Sequence, residues 1–288
     1  MTFLYSRKEG PLNANVTISS MPMLQRARGV LNISAQRASG DITRLKNLRQ
    51  QGSYRAIFPR PIGGNIEAVI VNTAGGVTGG DQFSATIVAH EAAHVSVTTQ
   101  AAERIYRATG AAAGLMQTTL RADENAQLYW LPQETILFDG SRLQRRLDVD
   151  LHASAKFLMV EPLIFGRAAS GETLRSGELD DRVSITSGGR PIYLDRIRLD
   201  GNIAGHLGRP AVANAANAVA SIVLVDPASK SLLGPVRALL PPSAGASLLA
   251  ETVLVVRVLA SDSYALRTTI FSILDLLTDN AVPKNWKL

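Results

Sequence analysis

Apolar and polar residues alternate in short runs over most of the chain, beginning near Gly29. A period of two residues is typical of strands with one buried face. Turn-forming Gly, Asn and Asp residues separate the runs, and no helical pattern lies between them. The residue pattern therefore predicts an antiparallel all-β body, with strands at 30–35, 66–71, 83–89, 94–99, 127–131, 149–153, 157–160, 183–186 and 192–199.

The C-terminal third has a different pattern. Strands are predicted at 221–226 and 252–259, and helical spacing of apolar residues predicts helices at 230–240 and 263–277, packed against the sheet. Ser261 or Ser263 is the expected N-cap of the second helix. We find no internal repeat. Residues 1–28 are expected to form a poorly ordered extension, and residues 29–288 a single domain.

Composition narrows the functional classes. The 288 residues include 46% hydrophobic and 19% charged residues, which is the balance of a globular protein. Cysteine is absent, which excludes disulfides, thiolate catalysis and cysteine-ligated metals. The net charge of +6 is not interleaved with aromatic residues, so nucleic-acid binding is not expected. We see neither a signal sequence nor a membrane-spanning run, and expect a cytoplasmic protein.

One motif suggests catalysis. His90, Glu91 and His94 form a His-Glu-x-x-His pattern, which on a helix places both histidines on one face to bind zinc, with the glutamate as general base. The flanking residues alternate as in strands, which favours a hairpin turn with the histidines pointing apart. A zinc-dependent hydrolase using these three residues is the alternative function that the sequence leaves open.

The segment 73–81 contains two glycine pairs but lacks the spacing of a P-loop or a dinucleotide fingerprint. Glycine pairs allow unusual backbone angles and close approach by another segment. The simpler interpretation is a tight turn in which Asp81 accepts hydrogen bonds from nearby backbone N–H groups.

Two carboxylates occur where burial is expected. Glu161 lies within the apolar segment 157–165, and Asp195 interrupts the strand predicted at 192–199. A buried carboxylate needs a partner or a cation. Arg167, Arg196 and Arg198 are near in sequence, so structural ion pairs are one explanation and cation handling is the other.

Five segments in a fixed order resemble the UreD (UreH) family of urease accessory proteins: 73–81, 98–107, 128–140, 161–172 and the weaker 190–198. The strongest are the Leu-Pro-Gln-Glu-Thr sequence at 131–135 and the Gly-Arg-x-x-x-Gly-Glu sequence at 166–172. The resemblance implies a mainly β fold of stacked sheets with β-helix-like winding and two helices in the C-terminal third.

The resemblance also implies a function. It suggests a non-enzymatic scaffold that joins a UreF-type adaptor and a UreG-type GTPase, docks on apo-urease and conducts nickel through an internal tunnel. No permanently bound cofactor is expected, only transient Ni²⁺. The implied acidic positions of the path are Asp81, Glu161 and Asp195. Glu103 occupies a neighbouring position at which the family commonly has a small polar residue.

Overall fold

The computed structural model describes residues 25–60, 63–167 and 170–287, so most of the predicted extension at 1–28 lies outside the described residues. The first half of the described chain consists of strands β1 (Arg28–Arg37), β2 (Thr43–Gly52), β3 (Tyr54–Ile57), β4 (Ile66–Asn72), β5 (Gln82–Ala89), β6 (His94–Thr99), β7 (Glu103–Ile105), β8 (Gly114–Ala122), β9 (Gln127–Leu131), β10 (Thr135–Leu137) and β11 (Arg142–Leu151). The second half consists of β12 (Lys156–Phe165), β13 (Ser176–Ser187), β14 (Arg190–Asn202), α1 (Ile203–Leu207), β15 (Ala218–Val225), α2 (Ser229–Ala238), β16 (Ala244–Ala250), β17 (Val253–Ala260), α3 (Ser263–Leu277) and a 3₁₀ turn (Lys284–Trp286).

The strands form two stacked sheets. In the described residues, the first sheet has seven strands in the order β14-β13-β11-β8-β5-β1-β2. The second has ten strands, eight of them in the order β16-β17-β15-β12-β9-β6-β4-β3, with β7 and β10 attached at the side. Antiparallel pairs occur at the margins, but the central neighbours β1, β5, β8, β11 and β13 are parallel, as are β4, β6, β9 and β12. The predicted antiparallel body is therefore wrong, whereas stacked sheets with β-solenoid-like winding are confirmed.

The winding consists of arches that repeat. Each of β5–β6, β8–β9 and β11–β12 crosses from the first sheet to the second through a short polar turn. Successive turns stack through backbone hydrogen bonds, for example from Gln127 N to Ala93 O at 2.9 Å and from Lys156 N to Ala126 O at 2.9 Å. The arches thus repeat in the structure, although we find no internal repeat in the sequence. A small apolar residue beside a polar turn is too weak a signal to reveal the repeat in the sequence.

Two hydrophobic cores result from this arrangement. One lies between the two sheets, and the other lies between the ten-stranded sheet and helices α2 and α3. Strand β12 contributes to both cores and is buried along nearly its whole length. Helix α3 has its predicted bounds, but its N-cap is Asp262 rather than either serine, since its side chain accepts a hydrogen bond from Ala265 N.

Strand β2 was not expected from the sequence. All but its first residue are exposed, so it lacks the alternation that marks a half-buried strand.

No helix among the described residues combines the length and the apolar character needed to cross a bilayer.

Candidate functional site: an acidic cavity between the sheets

A cavity of about 220 Å³ lies beside the short strands β7 and β10. Two of the four acidic residues singled out from the sequence, Glu103 and Glu161, line it together. The other polar side chains around it come from both sheets and include Tyr54, Asn72, Thr99, Gln100, Arg104, Thr118, Gln133, Thr135, Arg145 and Arg146. The cavity thus interrupts the apolar core with a space lined by charged and polar side chains.

Glu161 is held inside this core with 7% of its surface exposed. Its Oε1 accepts a hydrogen bond from Trp130 Nε1 at 2.7 Å. Its Oε2 lies 2.6 Å from Arg145 Nη1 but accepts no hydrogen bond of acceptable geometry, so these groups meet as a bare ion pair. Burial raises the pKa of Glu161, and the Arg145 charge opposes that rise.

Arg145 is shared with a second buried acid that sequence reasoning missed. Its Nε and Nη2 donate to the two carboxylate oxygens of Asp181 at 2.9 and 2.6 Å, and its Nη1 donates to Thr135 Oγ1 at 3.0 Å. Burial alone would lower the pKa of Arg145, but Asp181 and Glu161 raise it above its ordinary value. The guanidinium therefore stays charged between two carboxylates.

Arg145 and Asp181 are direct partners in the parallel pairing of β11 with β13. A register between strands that are far apart in sequence cannot be read from local spacing. The arginines that are near in sequence, Arg167, Arg196 and Arg198, take no part in the ion pairs of Glu161 and Asp195. Both acids do form ion pairs, Glu161 with Arg145 and Asp195 with Arg257.

Glu103 has a neutral hydrogen-bond partner in place of an arginine. Asn72 Nδ2 donates to both of its carboxylate oxygens, at 3.1 and 3.2 Å, and also to Gly76 O at 3.1 Å. Burial raises the pKa of Glu103 from 4.5 to about 7. A carboxyl group that titrates near neutrality can exchange a proton for a metal cation under ordinary conditions.

The glycine segment supports this side of the cavity. Gly76 has a φ of +155°, and a Cβ at this position would lie 2.3 Å from Cε2 of Tyr106 and 2.7 Å from Arg104 O. Tyr106 in turn donates its hydroxyl hydrogen to Gly75 O at 3.0 Å. The close approach that the glycine pairs allow is therefore used to seat this loop against β7, which carries Glu103.

A polar layer continues from the cavity through the space between the sheets. Glu161 pairs with Ser221 in the β12–β15 ladder, and Ser221 pairs with Arg257 in the β15–β17 ladder. The three side chains share the face that packs on the first sheet, because paired residues in a sheet point to the same side. Arg257 Nη2 lies 2.5 Å from Asp195 Oδ2, and Tyr193 also donates to this oxygen at 3.1 Å. Asp195 is thereby connected to the row that begins at Glu161.

Asp195 lies at the outer end of this layer. Its side chain is 21% exposed, and it lines an open surface groove together with Arg146, which also lines the cavity.

Asp81 is separate from this arrangement. It is buried, its Oδ1 accepts from Ala27 N and its Oδ2 from Thr78 N, both at 2.8 Å, and it does not line the cavity. The tight-turn interpretation of Asp81 is confirmed.

His90 and Glu91 lie in the turn between β5 and β6, and His94 is the first residue of β6. This turn is an arch between two sheets rather than the predicted hairpin. Nδ1 of His90 lies 3.0 Å from Asp123 Oδ2, whereas Nδ1 of His94 lies 3.0 Å from Asn65 Oδ1. The structure therefore lacks the shared helix face that zinc chelation by this motif needs. Among the described residues, no cluster of three or more His, Asp or Glu side chains is arranged to hold a metal ion.

The chain matches the model of the UreD urease accessory protein over residues 27–287. It is 47% identical to a protein of Ruegeria pomeroyi named urease accessory protein UreD, over 86% of this chain and 97% of the relative. Proteins with the same name from Roseobacter denitrificans and Rhizobium rhizogenes are 43% and 42% identical, over 91% and 92% of this chain and 96% of each relative. The chain belongs to the UreD family of urease accessory proteins.

Proposed function

We propose that this chain acts in urease maturation as a non-enzymatic scaffold that conducts nickel towards the urease active site. The path runs from the cavity lined by Glu103 and Glu161 along the polar layer to Asp195. Nickel is the cargo in this proposal and not a resident cofactor. A UreF-type adaptor, a UreG-type GTPase and apo-urease are the proposed partners, and the GTPase supplies the nucleotide chemistry for which this chain has no P-loop.

The observation that carries the proposal is the continuity between the cavity and the polar layer. A protein gains little stability from charged and hydroxyl groups between two apolar sheets, because each must be removed from water and then paired. Here Glu161, Ser221, Arg257 and Asp195 follow one another from the cavity to an open groove. Such a line of polar groups serves an ion that moves through the interior.

The donor chemistry suits transport better than storage. Single carboxylates separated along a path bind a divalent cation through few oxygens, so each holds it weakly and releases it readily. Thiolates would hold nickel far more tightly, and the chain contains no cysteine.

The test measures the nickel content and activity of urease produced together with its accessory proteins and either the native chain or a variant. Glu161→Gln keeps the oxygen that accepts from Trp130 and removes the charge, so the fold and the partner complexes are expected to persist. Glu124→Gln is the matched control, because Glu124 is exposed in a turn away from the cavity.

We expect nickel-poor urease with Glu161→Gln and with Asp195→Asn, and normal urease with the control. Urease that is equally nickel-loaded with and without the chain would overturn the maturation role itself. Full nickel loading with both variants, alongside nickel loss when the chain is omitted, would keep the maturation role and refute the path.

A further inference from the structure

Arg145 is bound unequally by its two buried carboxylates. It makes two hydrogen bonds to Asp181, one to each oxygen, and a third to Thr135. Its contact with Glu161 is a single approach of 2.6 Å without hydrogen-bond geometry. Asp181 therefore anchors the guanidinium, and Glu161 is the weaker partner of the two.

The contact with Glu161 covers the oxygen that a cation would use. Oε1 of Glu161 is occupied by the Trp130 indole N–H, so Oε2 is the oxygen that remains for a cation. Arg145 Nη1 lies on Oε2, and both groups line the cavity. A cation arriving from the cavity must compete with this positive charge.

We infer that Arg145 is a built-in competitor of the cargo cation at Glu161, and that Asp181 sets how strongly it competes. When a divalent cation binds Oε2, the guanidinium gives up this contact and remains neutralised by Asp181. When the cation leaves, Arg145 returns, and Glu161 is not left as an unpaired buried charge. This inference rests on the proposed cation path and assigns to Arg145 and Asp181 the control of release.

Glu103 provides an internal contrast within the same cavity. Its carboxylate is hydrogen-bonded by the neutral Asn72, and no salt bridge to it is found among the described residues. The competitor is therefore specific to the Glu161 end of the cavity, where the polar layer begins. A cation is expected to be released more readily at Glu161 than it would be if that acid were unpaired.

The test measures Ni²⁺ binding to the purified full-length chain by equilibrium dialysis, with circular dichroism and thermal unfolding of each variant in parallel. Arg145→Gln removes the competing charge, and at a separation of about 5 Å such a charge is worth at least tenfold in affinity even with strong screening. We expect Ni²⁺ to bind more tightly to Arg145→Gln by at least that factor. Arg145→Lys keeps the charge and is the matched control, with binding close to that of the native chain.

Asp181→Asn gives the opposite sign, because the guanidinium then has Glu161 as its remaining carboxylate partner and binding weakens severalfold. The double variant with Arg145→Gln separates this effect from simple loss of negative charge. If Asp181 acts through Arg145, the double variant binds as tightly as Arg145→Gln alone.

Three results would overturn the inference: unchanged or weaker binding by a folded Arg145→Gln, native affinity in Asp181→Asn, or additive effects in the double variant. Asp181→Asn retains the Arg145–Glu161 pair, so it carries the test even where Arg145→Gln fails to fold. Glu161→Gln distinguishes failure of the proposed cation path from failure of the proposed competition by Arg145. Native binding in Glu161→Gln would refute the cation path, whereas lost binding there with no gain in Arg145→Gln would refute only the competitor.

Discussion

Replacing Glu103 by glutamine is expected to make the protein more stable at neutral and alkaline pH, with a gain that disappears in acid. Burial raises the pKa of this carboxyl group from 4.5 to about 7, so the folded protein favours its neutral form. Glutamine reproduces that neutral form, and its side-chain oxygen can still accept from Asn72. The substitution therefore removes the cost of ionising a buried group while keeping the local hydrogen bond.

The magnitude follows from the two pKa values. Each pH unit between them corresponds to about 1.4 kcal/mol, so the ionised Glu103 carboxylate lowers the free energy of unfolding by about 3 kcal/mol. Between pH 4.5 and 7 the unfolded chain has released this proton and the folded chain still holds it. The contribution of Glu103 to stability is therefore fully present below pH 4.5 and is lost as the pH rises through about 7.

The assay is guanidinium unfolding followed by tryptophan fluorescence, because Trp130 and Trp286 are both buried. The native chain and Glu103→Gln are compared from below pH 4.5 to above pH 7, and the difference in unfolding free energy should grow by about 3 kcal/mol across that range. Glu124→Gln, at an exposed turn, controls for the loss of one carboxylate. A difference that is constant with pH would refute the burial argument.

Three further substitutions test how the fold is held. Gly76→Ala is expected to cost about 1–3 kcal/mol, because its φ is positive and the new methyl group meets a ring and a carbonyl. Gly110→Ala is the control, because a Cβ at Gly110 would meet no other atom within 4 Å. The thermal unfolding of the two variants is compared. Trp286→Phe deletes the buried hydrogen bond from the indole N–H to Leu131 O and should lower the free energy of unfolding, measured with denaturant, by about 1–3 kcal/mol. An unchanged free energy of unfolding would show that this hydrogen bond contributes nothing to stability. Asp262→Ala removes the N-cap of α3 and should lower the free energy of unfolding by about 1 kcal/mol, whereas Ser261→Ala should leave it nearly unchanged. Equal losses of stability in the two variants would contradict the assignment of Asp262 as the cap.

Local patterns predicted the elements but not their pairing. The helix at 263–277 and the strands at 94–99 and 127–131 have their predicted bounds, because their apolar periods are strong. Parallel and antiparallel strands share the same period of two, so alternation could not reveal the arches. The resemblance to a known family supplied the winding that periodicity could not.

The residues of the candidate site were likewise predictable from the sequence only in part. Glu161 and Asp195 were recognised because a carboxylate in an apolar run is unusual, and Glu103 came from the family resemblance. Asp181 gave no such signal, since it lies in a run of charged residues at 180–182. Its position opposite Arg145 depends on the register between β11 and β13, which tertiary packing sets.

The contacts of the 3₁₀ turn have a consequence for folding kinetics. Asn285 Nδ2 donates to Thr98 Oγ1 across 187 residues of sequence, and Trp286 Nε1 donates to Leu131 O across 155. The parallel arches can form one after another as the chain is synthesised, but these contacts close only after residue 286 is available. Such long-range closure slows folding and leaves apolar surface uncovered meanwhile. The nascent chain therefore passes through an interval in which the second core is incompletely covered and prone to aggregation.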